Sequence, residues 1–238
     1  MLLGLRIFLI FIWINIVIIP GFITLLFWPR NPNILWACSR LVSIVSFYLM
    51  GIEYEMRDSE IFDGKRPAII ISNHQSMLDF LTCCGIIAPR TVSVGKHSIL
   101  KIPFYGLAYW LSGNILINRK KTKKAHRTIN KISADMIDRD LFVWIMPEGT
   151  RSYGEKLHKF KKGAFHAAIA AEVPIIPVCI STYKKSINLK KWKSGKIIAQ
   201  VLPPISTDGM DKSDVTALSE KCHNIINETI EKLDMELT

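Results

Sequence analysis

From Leu2 to Trp28 the chain is almost wholly apolar, interrupted chiefly by Arg6, Asn15 and the pair Pro20-Gly21. It has no polar face at helical spacing, which sets it apart from the outer helices of soluble domains. Trp28-Pro29-Arg30-Asn31-Pro32 breaks the pattern, and a second apolar stretch runs from Ile34 to Gly51 with Arg40 inside it. A bilayer core needs about 20 apolar residues, so the first stretch is long enough to cross and the second is marginal. A signal peptide fits poorly, because the apolar region is too long and no small-residue cleavage site follows it. Two such helices form a hairpin that returns the chain to its starting side. That holds whether the pair spans the membrane or lies in one leaflet, and the sequence allows both.

Charge is distributed to match. Only three of the 31 Lys/Arg (Arg6, Arg30, Arg40) and two of the 20 Asp/Glu (Glu53, Glu55) precede Arg57, and the formal net charge is +11. An apolar segment therefore leads into a basic domain, whose surface favours phosphate-bearing partners. The cysteines are Cys38, Cys83, Cys84, Cys179 and Cys222, odd in number and without a Cys-x-x-Cys spacing. That argues against a disulfide framework or a zinc site and fits a reducing compartment.

Beyond Glu53 short apolar runs alternate with helical patterns. Pro67 to Ile71, Thr91 to Val94, Asn114 to Ile117, Leu141 to Met146, Ile175 to Ile180 and Lys196 to Leu202 read as strands. Phe80 to Ile87, Lys123 to Asp138, Gly163 to Glu172 and a closing amphipathic stretch from Val215 to Leu233 read as helices. Continuous apolar strands separated by helices predict an α/β fold, a mostly parallel central sheet flanked by helices. The expected division is an N-terminal membrane-associated two-helix segment over 1–52 and an α/β domain over 53–238.

Three clusters carry chemistry, and a fourth lines their wall. Ile71-Ser-Asn-His-Gln-Ser-Met-Leu-Asp-Phe80 follows a buried strand and places His74 and Asp79 five residues apart. On one continuous helix they would point about 140° apart. A helix starting after Ser76 leaves His74 in the preceding loop, free to fold back on the carboxylate. Ser76 would then be the N-cap of a capping box and Asp79 its third helical residue. Asp79 would fix the imidazole tautomer, making His74 a general base. Met146-Pro-Glu-Gly-Thr-Arg-Ser152 lies beyond another strand's carboxyl end, where Gly149, Thr150 and Arg151 offer donors suited to phosphate. Gly113 to Arg119 delivers Arg119 at a strand end, and Lys96 stands just after the Thr91–Val94 strand. The lysines after Arg119 have no interleaved aromatics, which argues against nucleic acid. Val173-Pro-Ile-Ile-Pro-Val178 reads as wall material, with prolines at a strand's start.

Together, in this order and spacing, these clusters resemble the glycerolipid acyltransferase family, most closely its bacterial 1-acyl-sn-glycerol-3-phosphate acyltransferases. The likeness extends through Val94 to Gly106 and Phe160 to Ala171 and covers most of the chain from Glu53. Asn118 stands where many members carry Asp, and Met146 where many carry Phe.

The resemblance implies acyl transfer from acyl-CoA or acyl-carrier protein to the sn-2 hydroxyl of lysophosphatidic acid, with no metal or cofactor. His74 and Asp79 would be catalytic. Lys96, Arg119 and Arg151 would hold the acceptor phosphate, with Gly149 and Thr150 beside them, while Glu148 would bond glycerol or orient an arginine. Backbone N–H groups near Ser76 or Gly149 would bind the oxyanion. Membrane lipids are the expected partner, and the cytoplasmic face of the inner membrane the expected place. Two alternatives stay open: a family member using glycerol 3-phosphate or another lysophospholipid, and a non-catalytic binder of anionic lipid. A hydrolase is disfavoured, since no Gly-x-Ser-x-Gly elbow is present.

Overall fold

A computed structural model describes residues 2–117 and 132–237. Helices α1 (Leu2–Phe27) and α2 (Pro32–Met50) form the hairpin. Asn31 caps α2 by accepting the Asn33 N–H, and Gly51 closes it in a left-handed conformation. The remaining elements are β1 (Ile52–Arg57), β2 (Ala68–Ser72), α3 (Asp79–Ile86), β3 (Thr91–Lys96), α4 (Tyr105–Leu111) and β4 (Ile115–Ile117), then α5 over 132–138. They continue through β5 (Phe142–Ile145), α6 (Gly163–Ala171), β6 (Ile175–Ile180), the short α7 (Tyr183–Ser186), β7 (Gly195–Val201) and α8 (Val215–Glu236).

The seven strands make one sheet in the order β1-β7-β6-β2-β5-β3-β4. Every neighbouring pair is parallel except β6 with β7. The mostly parallel α/β expectation therefore holds, with β1 and β7 running against the rest. β1 went unread as a strand, although Ile52, Tyr54 and Met56 alternate with Glu53, Glu55 and Arg57. Its short charged edge carries ion pairs from Lys196 to Glu53 and Glu55. Pro177 lies inside β6 and not at its start. Pairing to β7 begins only at Val178, so its missing N–H falls where that ladder has ended.

All five residues of β2 are buried. Ile69 and Ile71 pack with Val143, Phe165, Ala168, Leu218 and Cys222, under α6 and α8. Ala68 and Ile70 face the other way, onto Phe142, Trp144, Val42 and Phe47, under α2. Each buried isoleucine contributes roughly 2 kcal/mol, so the central strand alone is a large part of what holds the layers together. Packing does not divide at residue 52: Ile10 and Val17 of α1 belong to the same core as Ile176 and Ile197 of the sheet.

Helix α1 is the outermost layer. Gly21 lets it approach α2 closely, since a Cβ there would lie 2.4 Å from Cys38 Sγ. Its other face leaves Phe8, Phe11, Ile16, Ile23 and Phe27 exposed, an apolar stripe far larger than water tolerates. Both ends of the hairpin are tied to the α/β domain. At one end Arg6 donates to the carbonyls of Lys191 and Trp192 at 3.0 and 2.6 Å. At the other, the Arg30 N–H donates to Leu111 O at 2.6 Å and Arg139 Nη2 donates to Arg30 O at 2.7 Å.

Candidate active site

The site is built where β2 and β5 end. Past Ser72 the chain leaves the ladder, but two side chains keep it attached to β6. Asn73 donates to Ile180 O at 2.9 Å and accepts the Ile180 N–H at 3.0 Å. Gln75 donates to the carbonyls of Ile180 and Ser181 and accepts the Tyr183 N–H. Both are buried. With residues 73 and 75 turned into the sheet, His74 between them turns out, its side chain 22% exposed.

His74 Nδ1 lies 2.5 Å from Asp79 Oδ2. The same oxygen accepts the N–H groups of Gln75 at 2.6 Å and Ser76 at 2.9 Å. Three donors thus converge on one carboxylate oxygen, while Oδ1 is buried with no hydrogen-bond partner among the described residues. A carboxylate only accepts, so Nδ1 carries the proton and the lone pair is on Nε2. Nε2 has no partner among the described residues. Half of the expected capping box is present, the carboxylate reaching back to the Ser76 N–H. The other half is shifted: Ser76 Oγ accepts from Leu78 N at 3.0 Å, and α3 begins at Asp79. His74 and Asp79 therefore do not share a helix, which is what lets them meet.

Glu148 corrects a sequence expectation. Among the described residues it touches no arginine. It is 2% exposed, with Oε1 accepting the His74 N–H at 2.5 Å and Oε2 the His158 N–H at 2.9 Å. Burial pushes its carboxyl above the usual carboxylate range, against the pull of those two N–H donors. Glu148 is a clamp between loops. The Ser152 and Tyr153 N–H groups complete it by donating to the His74 and Gln75 carbonyls at 2.8 and 2.9 Å.

The two backbone donors expected for an oxyanion are also occupied. Ser76 N–H is on Asp79, and Gly149 N–H donates to Met146 O at 3.1 Å. Gly149 is needed for its turn, at φ +69, and because the Lys161 side chain lies across it, with Nζ 2.7 Å from where a Cβ would stand. The N–H groups and side chains of Thr150 and Arg151 have no partner among the described residues; Thr150 is exposed and Arg151 half-buried. Lys96 ends β3, two strands from β2 on the same sheet edge, and is exposed. Arg119 lies outside the described residues. The structure thus brings together His74, Asp79, Glu148, Gly149, Thr150 and Arg151, with Lys96 further along the edge.

Sequence reading gave no role to Asn73, Gln75, His158 or Lys161. A detectable signal existed for the first two, since polar residues directly after a fully apolar strand must find partners when buried. Beneath Asp79, the Tyr183 hydroxyl stands 2.6 Å from Thr82 Oγ1. Burial first, and then the Asp79 charge, holds its phenol well above the ordinary tyrosine range.

An imidazole with one nitrogen tied to a buried carboxylate and the other bare is placed to take a proton from a substrate, which puts the chain among enzymes. Comparison with known proteins gives the class: a family model described as acyltransferase matches residues 53–181, and the chain belongs to that family. It is 42% identical to the 1-acyl-sn-glycerol-3-phosphate acyltransferase of Escherichia coli, over 98% of this chain and 94% of that one. It is 39% identical to the protein of that name in Haemophilus influenzae, over 98% and 97% of the two chains. A mammalian relative, 1-acyl-sn-glycerol-3-phosphate acyltransferase alpha of Mus musculus, is 38% identical over 76% of this chain and 65% of its own. In fold the chain is similar to the crystal structure of the 1-acyl-sn-glycerophosphate acyltransferase of Thermotoga maritima, with a TM-score of 0.74 at 20% identity over 98% and 94% of the chains.

Proposed function

We propose that this protein transfers a fatty acyl group from acyl-CoA or acyl-carrier protein to the sn-2 hydroxyl of 1-acyl-sn-glycerol 3-phosphate, forming phosphatidic acid. The observation that carries the mechanism is the 2.5 Å contact between His74 Nδ1 and Asp79 Oδ2, which leaves Nε2 as the base. Nε2 takes the hydroxyl proton as the oxygen attacks the thioester carbon. The C–S bond then breaks, and the thiolate leaves with the proton from the imidazolium. Asp79 stabilises that imidazolium. A thioester is already activated, so no enzyme nucleophile is required. Arg151 and Lys96, without an ion-pair partner among the described residues, are the cations for the acceptor phosphate, with Arg119 assigned by resemblance. The N–H groups of Thr150 and Arg151 are the donors available to the developing oxyanion.

The hairpin supports a membrane placement in one leaflet; its assignment to the cytoplasmic face of the inner membrane comes from the resemblance. A 26-residue helix is about 40 Å long, and both of its ends are bonded to the same domain. It therefore lies along the domain with its apolar stripe outward, and an amphiphilic acceptor reaches His74 without full extraction. His74→Ala tests the mechanism: transfer should vanish while vesicle binding stays. Wild-type transfer by the variant rules the base out. Assay against lysophosphatidic acid, glycerol 3-phosphate and other lysophospholipids, with both donors, tests the substrates.

A further inference from the structure

Arg6 is an arginine in an otherwise apolar helix, yet it is only 4% exposed. Its guanidinium donates to Lys191 O, Trp192 O and Ser194 Oγ at 3.0, 2.6 and 3.2 Å, and stands 5.5 Å from the centre of the Trp192 ring. Ser194 locks the same loop to the end of α2, donating from N to Gly51 O at 2.7 Å and from Oγ to Met50 O at 2.6 Å. Asn188 tightens it further by accepting the Lys190 N–H through Oδ1 and the Lys191 N–H through its carbonyl. The 188–194 loop is thus a built element fixed to the membrane hairpin.

What this rigid loop displays is unusual. Trp192 is 76% exposed, and Lys190, Lys191 and Lys193 around it are exposed with no carboxylate partner among the described residues. Lys185 nearby differs, being paired with Asp234 at 3.1 Å. The loop stands on the sheet edge that carries the site, since Gln75 bonds Ser181 and Tyr183 just before it. It also adjoins the first turns of α1, where Leu5, Ile7 and Phe8 are exposed.

An indole flanked by lysines, held at the end of an apolar stripe, matches the depth where a bilayer changes from hydrocarbon to headgroup. We propose that the 188–194 loop is a second membrane contact, which docks on anionic lipid headgroups of the leaflet that receives α1 and holds the site edge against it. The inference rests on the one-leaflet reading of the hairpin. Arg6 has the role of fixing the basic loop and the apolar stripe at one level.

Sedimentation of the full chain with phosphatidylcholine vesicles, alone and mixed with phosphatidylglycerol, tests this. Three lysines at an anionic surface change partitioning on the order of a hundredfold. Lys190→Gln, Lys191→Gln and Lys193→Gln combined should lose about that factor on the mixed vesicles and leave binding to neutral vesicles unchanged. A control on α8 and its approach, Lys212→Gln with Lys221→Gln and Lys232→Gln, removes equal charge from the opposite face and should lose little. Equal losses in the two triple variants, or wild-type binding by the loop variant, overturn the proposal. So does a raised KM for acyl-CoA in detergent micelles with vesicle partitioning intact, which would assign the lysines to the donor's phosphates. Failure of the wild-type chain to bind neutral vesicles is a different result, and it overturns the hairpin reading itself.

Discussion

Asp79→Asn separates the two roles that Asp79 plays, because its three hydrogen bonds all fall on one oxygen. In many carboxylate–histidine pairs an amide can turn its nitrogen to the imidazole and force the wrong tautomer. Here that is blocked. The Gln75 and Ser76 N–H groups point at the same position, so the amide must place its oxygen there and its nitrogen where Oδ1 stood. Nδ1 keeps its proton, and the lone pair stays on Nε2. What is lost is the charge. Three charge-assisted bonds become neutral ones, and the amide NH2 enters a buried position with no acceptor, which costs about 1–3 kcal/mol. Relief from burying a charge offsets part of this. The net expectation is about 2 kcal/mol, or a fall in Tm of roughly 6 °C for a chain of this size. Asp79→Ala instead leaves the Gln75 and Ser76 N–H groups bare and should lose about twice as much.

Activity should follow a different order. Asp79→Asn should lower kcat roughly a hundredfold through loss of imidazolium stabilisation, with KM for the acceptor little changed. Asp79→Ala, with His74 free to turn towards solvent, should fall close to His74→Ala. Thermal melts and steady-state acyl transfer on the same preparations decide it. Wild-type kcat in Asp79→Asn refutes a catalytic role for the charge. An amide variant as unstable as the alanine variant refutes the argument from a shared oxygen.

Other expectations come from the neighbouring contacts. Glu148→Gln gives one acceptor for two N–H donors, so it should cost about 2 kcal/mol and lower kcat by loosening His74. Because burial raises the Glu148 pKa, the folded state holds this proton to higher pH than the unfolded chain does. Its contribution to stability is complete below the ordinary carboxylate value of about 4.3 and is lost as pH rises through the raised one. Melts across that interval should show the gap between wild type and Glu148→Gln narrowing as pH rises, and a widening gap refutes the burial account. Arg151→Ala should raise KM for the phosphate-bearing acceptor about tenfold or more, leaving stability within about 0.5 kcal/mol, since the side chain has no partner to lose among the described residues. A single-cysteine variant at Asn31, at the hairpin's tip, should react with a membrane-impermeant maleimide added outside vesicles that carry the bound protein. Protection there, with a cysteine at Lys191 still reactive, would mean that the hairpin crosses the bilayer.

The fold was legible wherever burial is complete. β6 matches its apolar run in full and β2 lies one residue on, because a strand covered on both faces admits few polar residues. β1 was not, because it is an edge strand whose pairing with β7 lies far away in sequence. The contact between His74 and Asp79 was legible, since only a loop–helix junction lets residues five apart meet. The partners that Glu148 finds were not legible, for an informative reason. A glutamate in a polar loop after a strand looks like a ligand for substrate, and nothing local shows that it will be buried under the chain at His158. Its partners are backbone N–H groups, which every residue carries and which leave no mark in the sequence. The same holds for Asp79, where the carboxylate and imidazole could be read but the Gln75 and Ser76 N–H groups could not. Those silent donors change the chemistry. They hold the Asp79 carboxylate in place before substrate arrives, and they also bind His74's own loop to it. The geometry of the base is therefore a property of the β2–α3 junction as a whole. Substitutions at buried Asn73 or Gln75, whose amides are bonded to β6, should impair kcat by tilting that junction.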